Sequence, residues 1–378
     1  MTRPGVDVVT LAAPTPAVVP TDTSVLFVAG VTATQPTPLV AVKVRSLDDY
    51  TAACGARGAP SAATYDALDC FFHEGGSVAY VSAMKSTNVA LADYQAALAL
   101  FDEGLGPGQV ILPGMTTANI QSAALAHCMA NNRVALLDTA VGATKAQLLT
   151  AAGAFTSDVN SSYGALFGPT CEIPGLTAGT TRQVGWSGIE AGIIARNDQT
   201  MNQDAAAAGS NGVSLFCLSL DPFTPALVDQ DYTDLNVAGV CMARNRFGTI
   251  EMYGYRSLAP ADPAWSQFGY SRLRMAITAL ANAIGESYVF SQMDGRGKTM
   301  SRFAGELSAM LVTFYEAGAL YGDTAEDAFK VKTAAPINTD ASIANGELHA
   351  QLQVRMSPFA EYVLIQIAKV AITQALAA

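Results

Sequence analysis

The sequence predicts an α/β protein. A doubly wound, mostly parallel sheet is followed by a smaller α+β unit, with extended strand-like arms at both ends. Three observations carry this reading. Between residues 24 and 167, short apolar runs alternate with helical segments, the pattern of parallel strands covered by helices on both faces. After residue 230 the pattern changes to a hairpin and two long amphipathic helices. Both termini read as extended: residues 1–20 contain Pro4, Pro14, Pro16 and Pro20, and the chain closes on two strand segments, 347–355 and 361–372, hinged at Ser357-Pro358.

The elements follow in order. In the first arm Val6, Val8 and Thr10 alternate with Asp7, Val9 and Leu11, as in a short strand. SVLFVAGV at 24–31 is a buried strand. Helices at 46–54 and 61–73 have Ser46 and Ser61 as N-caps, and Gly75-Gly76 stops the second. Strands are expected at 77–83, 110–112, 133–138 and 163–167, with helices at 91–101, 117–130 and 144–154 between them. An apolar helix at 188–196 and a polar, Ala/Gly-rich loop lead to a strand over 214–220 and then a Pro/Asp-rich boundary. Residues 234–258 read as a β-hairpin, with strands at 237–244 and 249–256 around a turn at 245–248. Helices at 267–289 and 300–321 place apolar residues three and four apart, and a basic link, Arg296-Gly297-Lys298, joins them. A short helix and a strand at 329–332 precede the closing strands.

Composition narrows the function. Of the 378 residues, 50% are hydrophobic and only 14% charged, enough apolar surface for a large core and for interfaces besides. The net charge of −11 argues against nucleic acid or anionic membrane as a general partner. Residues 1–230 hold 9 Lys+Arg against 18 Asp+Glu, whereas residues 231–378 hold 12 against 14, so the last part is better suited to an acidic partner. Six scattered cysteines without a CxxC pair read as buried thiols made in a reducing compartment. The opening MTRPG lacks the apolar region of a secretory signal, and no run reaches the ~20 apolar residues of a membrane span.

Chemistry is sparse. The glycines at 104–108 follow a helix and precede a strand, the reverse of a dinucleotide loop, and Pro107 removes an amide such a loop needs. There is no Walker A sequence and no GxSxG elbow. Asp138 ends a strand and reads as a helix cap or turn residue, with a catalytic acid as the alternative. His73, His127 and His349 stand far apart without an evident carboxylate, Ser or Cys partner, which argues against a triad. No cofactor or metal is expected: Asn197, Asp198 and Asp204 fit no calcium or magnesium pattern.

Short motifs occur in order along the whole chain. They are PGV at 4–6, FFHEGG at 71–76 leading into AYV at 79–81, LPG at 112–114, VALLD at 134–138 and SGIEAGIIARND at 187–198. Then come LN at 235–236 before GV at 239–240, YGYRSL at 253–258, YSRL at 270–273, GALYG at 318–322 and SPFAEY at 357–362. In this series the chain resembles the sheath subunits of contractile phage tails and related contractile injection systems. It departs from the family pattern at Tyr253, where the family has tryptophan, and at residues 202–209, which replace a "WKAPAN"-like stretch. It is also short for the family, without the extra outer domains.

The resemblance implies a structural protein and no enzyme. Sheath subunits stack as hexameric rings around an inner tube, exchange terminal arms as added strands, and contract to drive the tube through a target envelope. Four parts are then expected: an N-terminal linker arm over 1–20, an α/β body over 21–230, a C-terminal inner domain facing the tube over 231–356, and a C-terminal linker arm over 357–378. The inter-subunit residues would be Val6, Val8, Val9 and Leu11 of one arm, and Val363, Leu364, Ile365, Ile367 and Val370 of the other. Arg296, Lys298, Arg302, Lys330 and Lys332 would face the tube. The implied partners are copies of the chain, the inner tail tube protein, and baseplate and tail terminator proteins. Nucleic acid and membrane insertion are not implied. The implied location is the contractile tail of a virion assembled in the host cytoplasm. A non-phage injection particle is the alternative, and a soluble oligomeric α/β enzyme is the reading from a different class.

Overall fold

A computed structural model of the chain describes residues 19–87, 89–365 and 367. The first half alternates as expected: β1 (Leu26–Val31), β2 (Ala41–Val44), α1 (Leu47–Cys54), α2 (Ala62–Glu74), β3 (Ala79–Met84), α3 (Leu91–Ala99), β4 (Gln109–Ile111), α4 (Ala118–Ala130), β5 (Val134–Asp138), α5 (Lys145–Gly153) and β6 (Gly164–Gly168). Ser46 caps α1, its hydroxyl accepting from the Asp49 amide at 3.1 Å. Ser61 precedes α2 but its hydroxyl serves Gly58 instead, at 3.0 Å from the Gly58 amide. Next come β7 (Cys171–Pro174), β8 (Thr181–Val184), α6 (Ser187–Asn197), β9 (Ser219–Leu220), α7 (Asp229–Val237), β10 (Val240–Arg246) and β11 (Thr249–Met252). The chain continues through α8 (Phe268–Glu286), α9 (Lys298–Glu316), α10 (Ala325–Ala328), β12 (Phe329–Lys332), α11 (Asp340–Ala344) and β13 (Gln351–Val354).

Eight strands form the main sheet in the order β11-β10-β6-β5-β4-β1-β3-β2. The six inner strands are parallel to their neighbours, and the two edge strands are antiparallel. Successive residues of β1 feed opposite faces. Leu26 and Val28 join a core with Phe71 of α2 and Ile189 and Ile193 of α6, while Phe27 and Ala29 join one with Leu98 of α3, Leu125 of α4 and Leu235 of α7. Strands buried on both faces must be apolar throughout, which is why they were legible as runs.

The α2–α6 contact is close because two glycines allow it. A Cβ on Gly188 would lie 2.6 Å from the Ala67 carbonyl oxygen, and one on Gly192 would lie 2.4 Å from Glu74 Cβ. A third core joins Leu273 and Ile277 of α8 to Phe303, Leu307 and Leu311 of α9, with the antiparallel pair β12–β13 packed beside them.

The structure differs from several expected element bounds. The stretch 229–237 is helical rather than boundary and strand. Only Leu235 of α7 is buried, so its helical stripe was too thin to read. The hairpin is therefore shorter, turning at Phe247 and Gly248, which both adopt positive φ (53° and 87°) as two-residue hairpin turns require. Its first strand belongs to the main sheet, Val240–Met242 pairing in parallel with Leu166–Gly168. The division expected at 230/231 thus runs between two paired strands. Of the 214–220 stretch only Ser219 and Leu220 are strand. The amides of Leu215 and Phe216 go to the Glu74 carboxylate (2.9 and 3.0 Å) instead of a ladder. The 347–355 strand shortens to Gln351–Val354, because Asn338 takes the His349 amide at 2.8 Å. Residues 361–365 and 367 are not strand, and the rest of the 361–372 segment lies outside the described residues.

Candidate assembly surfaces and the network behind them

The motifs scattered along the sequence meet in space as charge partners. Glu74 of FFHEGG ends α2, is fully buried, and receives Arg196 Nη1 of the α6 motif at 2.9 Å. The same carboxylate accepts from the hydroxyl of Ser214. Asp198, two residues beyond Arg196, accepts two bonds from Arg272 Nη2 of α8 (2.6 and 2.7 Å) and a third from Thr23 Oγ1 at 3.0 Å. Burial alone would lower the Arg272 guanidinium; the adjoining Asp198 carboxylate outweighs this and holds it above its ordinary range. Asp138, at the carboxyl end of β5, accepts from the Ser187 amide and hydroxyl (2.8 and 2.9 Å) and from the Gly114 amide at 3.3 Å. It caps α6 from a neighbouring strand, so its place at the strand end is used for structure. Its carboxyl is pushed up by burial, and the bonds from Ser187 and Gly114 pull the other way.

Two further acids lie in this network. Glu190 is buried, with Trp186 Nε1 donating to one oxygen at 2.9 Å and no partner for the other. Burial pushes its carboxyl up to about 8, against the pull of the Trp186 bond and of Arg272. Burial likewise raises Asp204 to about 7, against the pull of Arg272. Burial thus works against the charged form of both. The pairing of Glu74 with Arg196 could have been suspected from sequence, since an acid ending an apolar helix demands a partner. The identity of that partner could not.

The root of the C-terminal arm is clamped. Gln267 and Phe359 exchange two hydrogen bonds, 3.1 and 3.2 Å, and the Phe359 ring lies 6.1 Å from that of Tyr255. Arg256, of the YGYRSL motif, grips Glu361 through Nε and Nη2 (3.0 and 2.6 Å), and Asn236 Nδ2 adds a bond at 3.2 Å. Among the described residues beyond Glu361, the side chains are mostly exposed. Tyr362, Val363, Leu364, Ile365 and Ile367 are 79%, 72%, 63%, 78% and 93% exposed. Val370 and the first-arm residues Val6, Val8, Val9 and Leu11 lie outside the described residues.

The candidate tube-facing cations are not gathered at one point of the sequence order. Arg296 and Lys298 sit at the turn into α9, and Arg302 lies one turn later, bonded to Glu306 at 3.1 Å. Lys330 and Lys332 lie on β12, on the face opposite Phe329 and Val331, whose side chains pack on the helices. All are exposed except Lys332, which is half-buried. Tyr253 carries the Arg246 guanidinium 4.2 Å from its ring centre.

Two histidines do have carboxylates beside them, contrary to expectation: Asp69 at 2.9 Å from His73, and Glu347 at 3.5 Å from His349. His73 also stacks on Phe216 at 4.1 Å. His127 faces Arg133 instead, and burial together with that cation lowers it to about 4. The six cysteines are free thiols, five of them buried and Cys217 half-buried. Among the described residues no group of His, Cys, Asp and Glu is placed to hold a metal, and no helix is long and apolar enough to cross a membrane.

No protein-family model and no curated protein matches the chain. Solved structures do. A chain from the contracted helical sheath of the anti-feeding prophage has 22% identity and a TM-score of 0.71, the match covering 97% of this chain and 99% of that one. A chain from the contracted sheath complex of PVC, an extracellular contractile injection system, has 18% identity and a TM-score of 0.73 over 97% and 98%. A sheath tail protein from Desulfitobacterium hafniense has 8% identity and a TM-score of 0.55 over 87% and 93%. The chain therefore has the fold of contractile sheath proteins along nearly its whole length.

Proposed function

We propose that the chain is a structural subunit of a contractile sheath. It stacks with its copies as hexameric rings around an inner tube and contracts to drive that tube through a target envelope. The observation that carries the reading is the arm root. An apolar run leaves the body at a clamped residue and lies exposed, on a fold shared end to end with sheath chains. Such a run in water is stable only when a partner covers it. The two-stranded β12–β13 sheet has no further strand at either edge among the described residues, and strand addition is the way such edges are closed.

The reading has four parts: arms at 1–20 and 357–378, a body over 21–230 that borrows β10 and β11 for its sheet, and an inner unit completing 231–356. The arm residues are Val6, Val8, Val9 and Leu11 with Val363, Leu364, Ile365, Ile367 and Val370. The tube-facing cations are Arg296, Lys298, Arg302, Lys330 and Lys332. Partners are copies of the chain, the tube protein, and baseplate and terminator proteins; the role needs no catalysis and no cofactor. The higher TM-scores with the anti-feeding prophage and PVC chains favour an injection particle of that kind over a genome-ejecting tail.

Negative-stain microscopy of the purified chain tests the reading. Rings or helical tubes are expected for the full chain, and a folded, non-polymerising protein when the chain stops after Glu361. A monomer at every concentration in the full chain, or tubes from the truncated one, overturns it.

A further inference from the structure

Two thiols meet beside the charge network. Cys171 opens β7, and Cys217 stands two residues before β9, the strand paired with it. The register sets Glu172 opposite Ser219, and the Leu218 amide donates to the Glu172 carbonyl at 2.8 Å, one residue off that register. An offset of this kind re-aims the side chains beside it. Cys217 packs against the same core as Cys171, and the two thiols are hydrogen-bonded to each other. The turn before Cys217 is fixed as well. The Ser214 hydroxyl accepts from the Cys217 amide at 2.9 Å and donates to the Glu74 carboxylate.

The two thiols differ in access. Cys217 is half-buried, whereas the other five cysteines are buried. A reagent in solution therefore reaches Cys217 first. The bond with Cys217, together with burial, pushes the Cys171 thiol up, which suits it to the second step of an exchange. Cys70 of α2 lies in the same core and is the competing partner for Cys171. A bond between residues 171 and 217 would close a ring that holds β8 and all of α6. That ring includes Arg196 and Asp198, the partners of Glu74 and Arg272.

We propose that Cys171 and Cys217 form a disulfide when the folded chain meets a low-molecular-weight disulfide such as oxidised glutathione, and that this bond fastens α6 and its charge partners in place. Cys217, as the thiolate, attacks one sulfur of the small disulfide; that S–S bond breaks and one small thiol leaves. Cys171 then attacks Cys217 Sγ, the mixed S–S bond breaks, and the second small thiol leaves. Two protein thiols are oxidised, one small disulfide is reduced, and the two protein thiol protons end on the two released thiols. Excess small thiol runs the exchange backward, so a chain made in a reducing compartment folds with both thiols free. The bond lies within one chain and stands apart from the sheath reading.

The test adds oxidised glutathione to the reduced full-length chain, then alkylates in denaturant and maps peptides by mass spectrometry. Wild type is expected to lose two hydrogens and to give one linked pair, Cys171 with Cys217, the other four cysteines being alkylated. C171S is expected to stop after the first step, with one glutathione held on Cys217. C217S is expected to stay reduced, and C70S to behave as wild type. Amide exchange along α6 is expected to slow about tenfold or more in the oxidised wild type and to be unchanged by oxidant in C217S. The wild-type peptide map stands whether or not a variant folds. A wild type that stays reduced, that keeps glutathione on Cys217, or that links Cys70 to Cys171 or one chain to another overturns the pair. A linked pair with unchanged exchange along α6 overturns the fastening role.

Discussion

The body of this protein and its C-terminal unit solve the same problem in opposite ways. The body's sheet has helices on both faces, and its acids are paired: Glu74 with Arg196, Asp138 with the start of α6, and Asp198 with Arg272 of α8, which ties the C-terminal unit to it. The C-terminal unit packs two helices on one side of a two-stranded sheet whose edges are free among the described residues. A two-stranded sheet alone is marginal in water. The two ion pairs that frame α8 show the difference at one residue's scale. Arg272–Asp198 is buried and belongs to folding. Arg256–Glu361 is half-buried and fixes where an arm departs.

Breaking the body pair gives the largest expected effect. Asp198→Asn keeps the side chain's shape and leaves the Arg272 guanidinium buried without a counter-charge, at a cost of about 3–5 kcal/mol in urea unfolding. Arg256→Gln at the half-buried pair is expected to cost about 1 kcal/mol or less. Equal costs at the two sites would erase the comparison.

The pH dependence is expected to come from the buried acids behind α6. Glu190, at about 8 when folded, lies above its ordinary value of 4.5, so the folded chain holds a proton that the unfolded chain has released. Its stabilising effect is complete below about pH 4.5 and declines as pH rises through about 8, by up to about 1.4 kcal/mol per pH unit. Asp204, at about 7, acts in the same direction. His127, lowered to about 4, acts the other way, losing its contribution as pH falls through that value. Glu190→Gln keeps an acceptor for Trp186 and is expected to flatten the loss between pH 5 and 8; an unchanged slope in urea midpoints assigns the pH dependence to other groups.

The smallest effect on stability is expected in the C-terminal unit. Reversing the charge of Arg296, Lys298, Arg302, Lys330 and Lys332 is expected to change stability by about 0.5 kcal/mol or less per site, since all but Lys332 are exposed. Salt-sensitive binding to a purified tube is expected to fall sharply. Binding that survives all five reversals removes them from the tube face.

Much of this was legible without coordinates, and the reason is local. A strand covered on both faces has to be apolar throughout, so β1, β3 and β5 stood out as runs. Ser46 and Gly75 marked ends because capping depends on one or two neighbouring residues. The long helices α8 and α9 repeated their apolar residues over five turns. What was misread failed for an equally physical reason. The amides at 215–216 had β-like side chains but were claimed by Glu74, some 140 residues away. Helix α7 buried one residue, too little for a period.

By itself the sequence determined the order and kind of most elements and the uneven distribution of charge, because each depends on composition and spacing along the chain. Only the tertiary structure decided that the main sheet takes in β10 and β11 and that the ordered motifs are one another's charge partners. Each of these is a match between groups brought together from distant parts of the chain, and burial makes such a match obligatory without writing the partner's position into either segment.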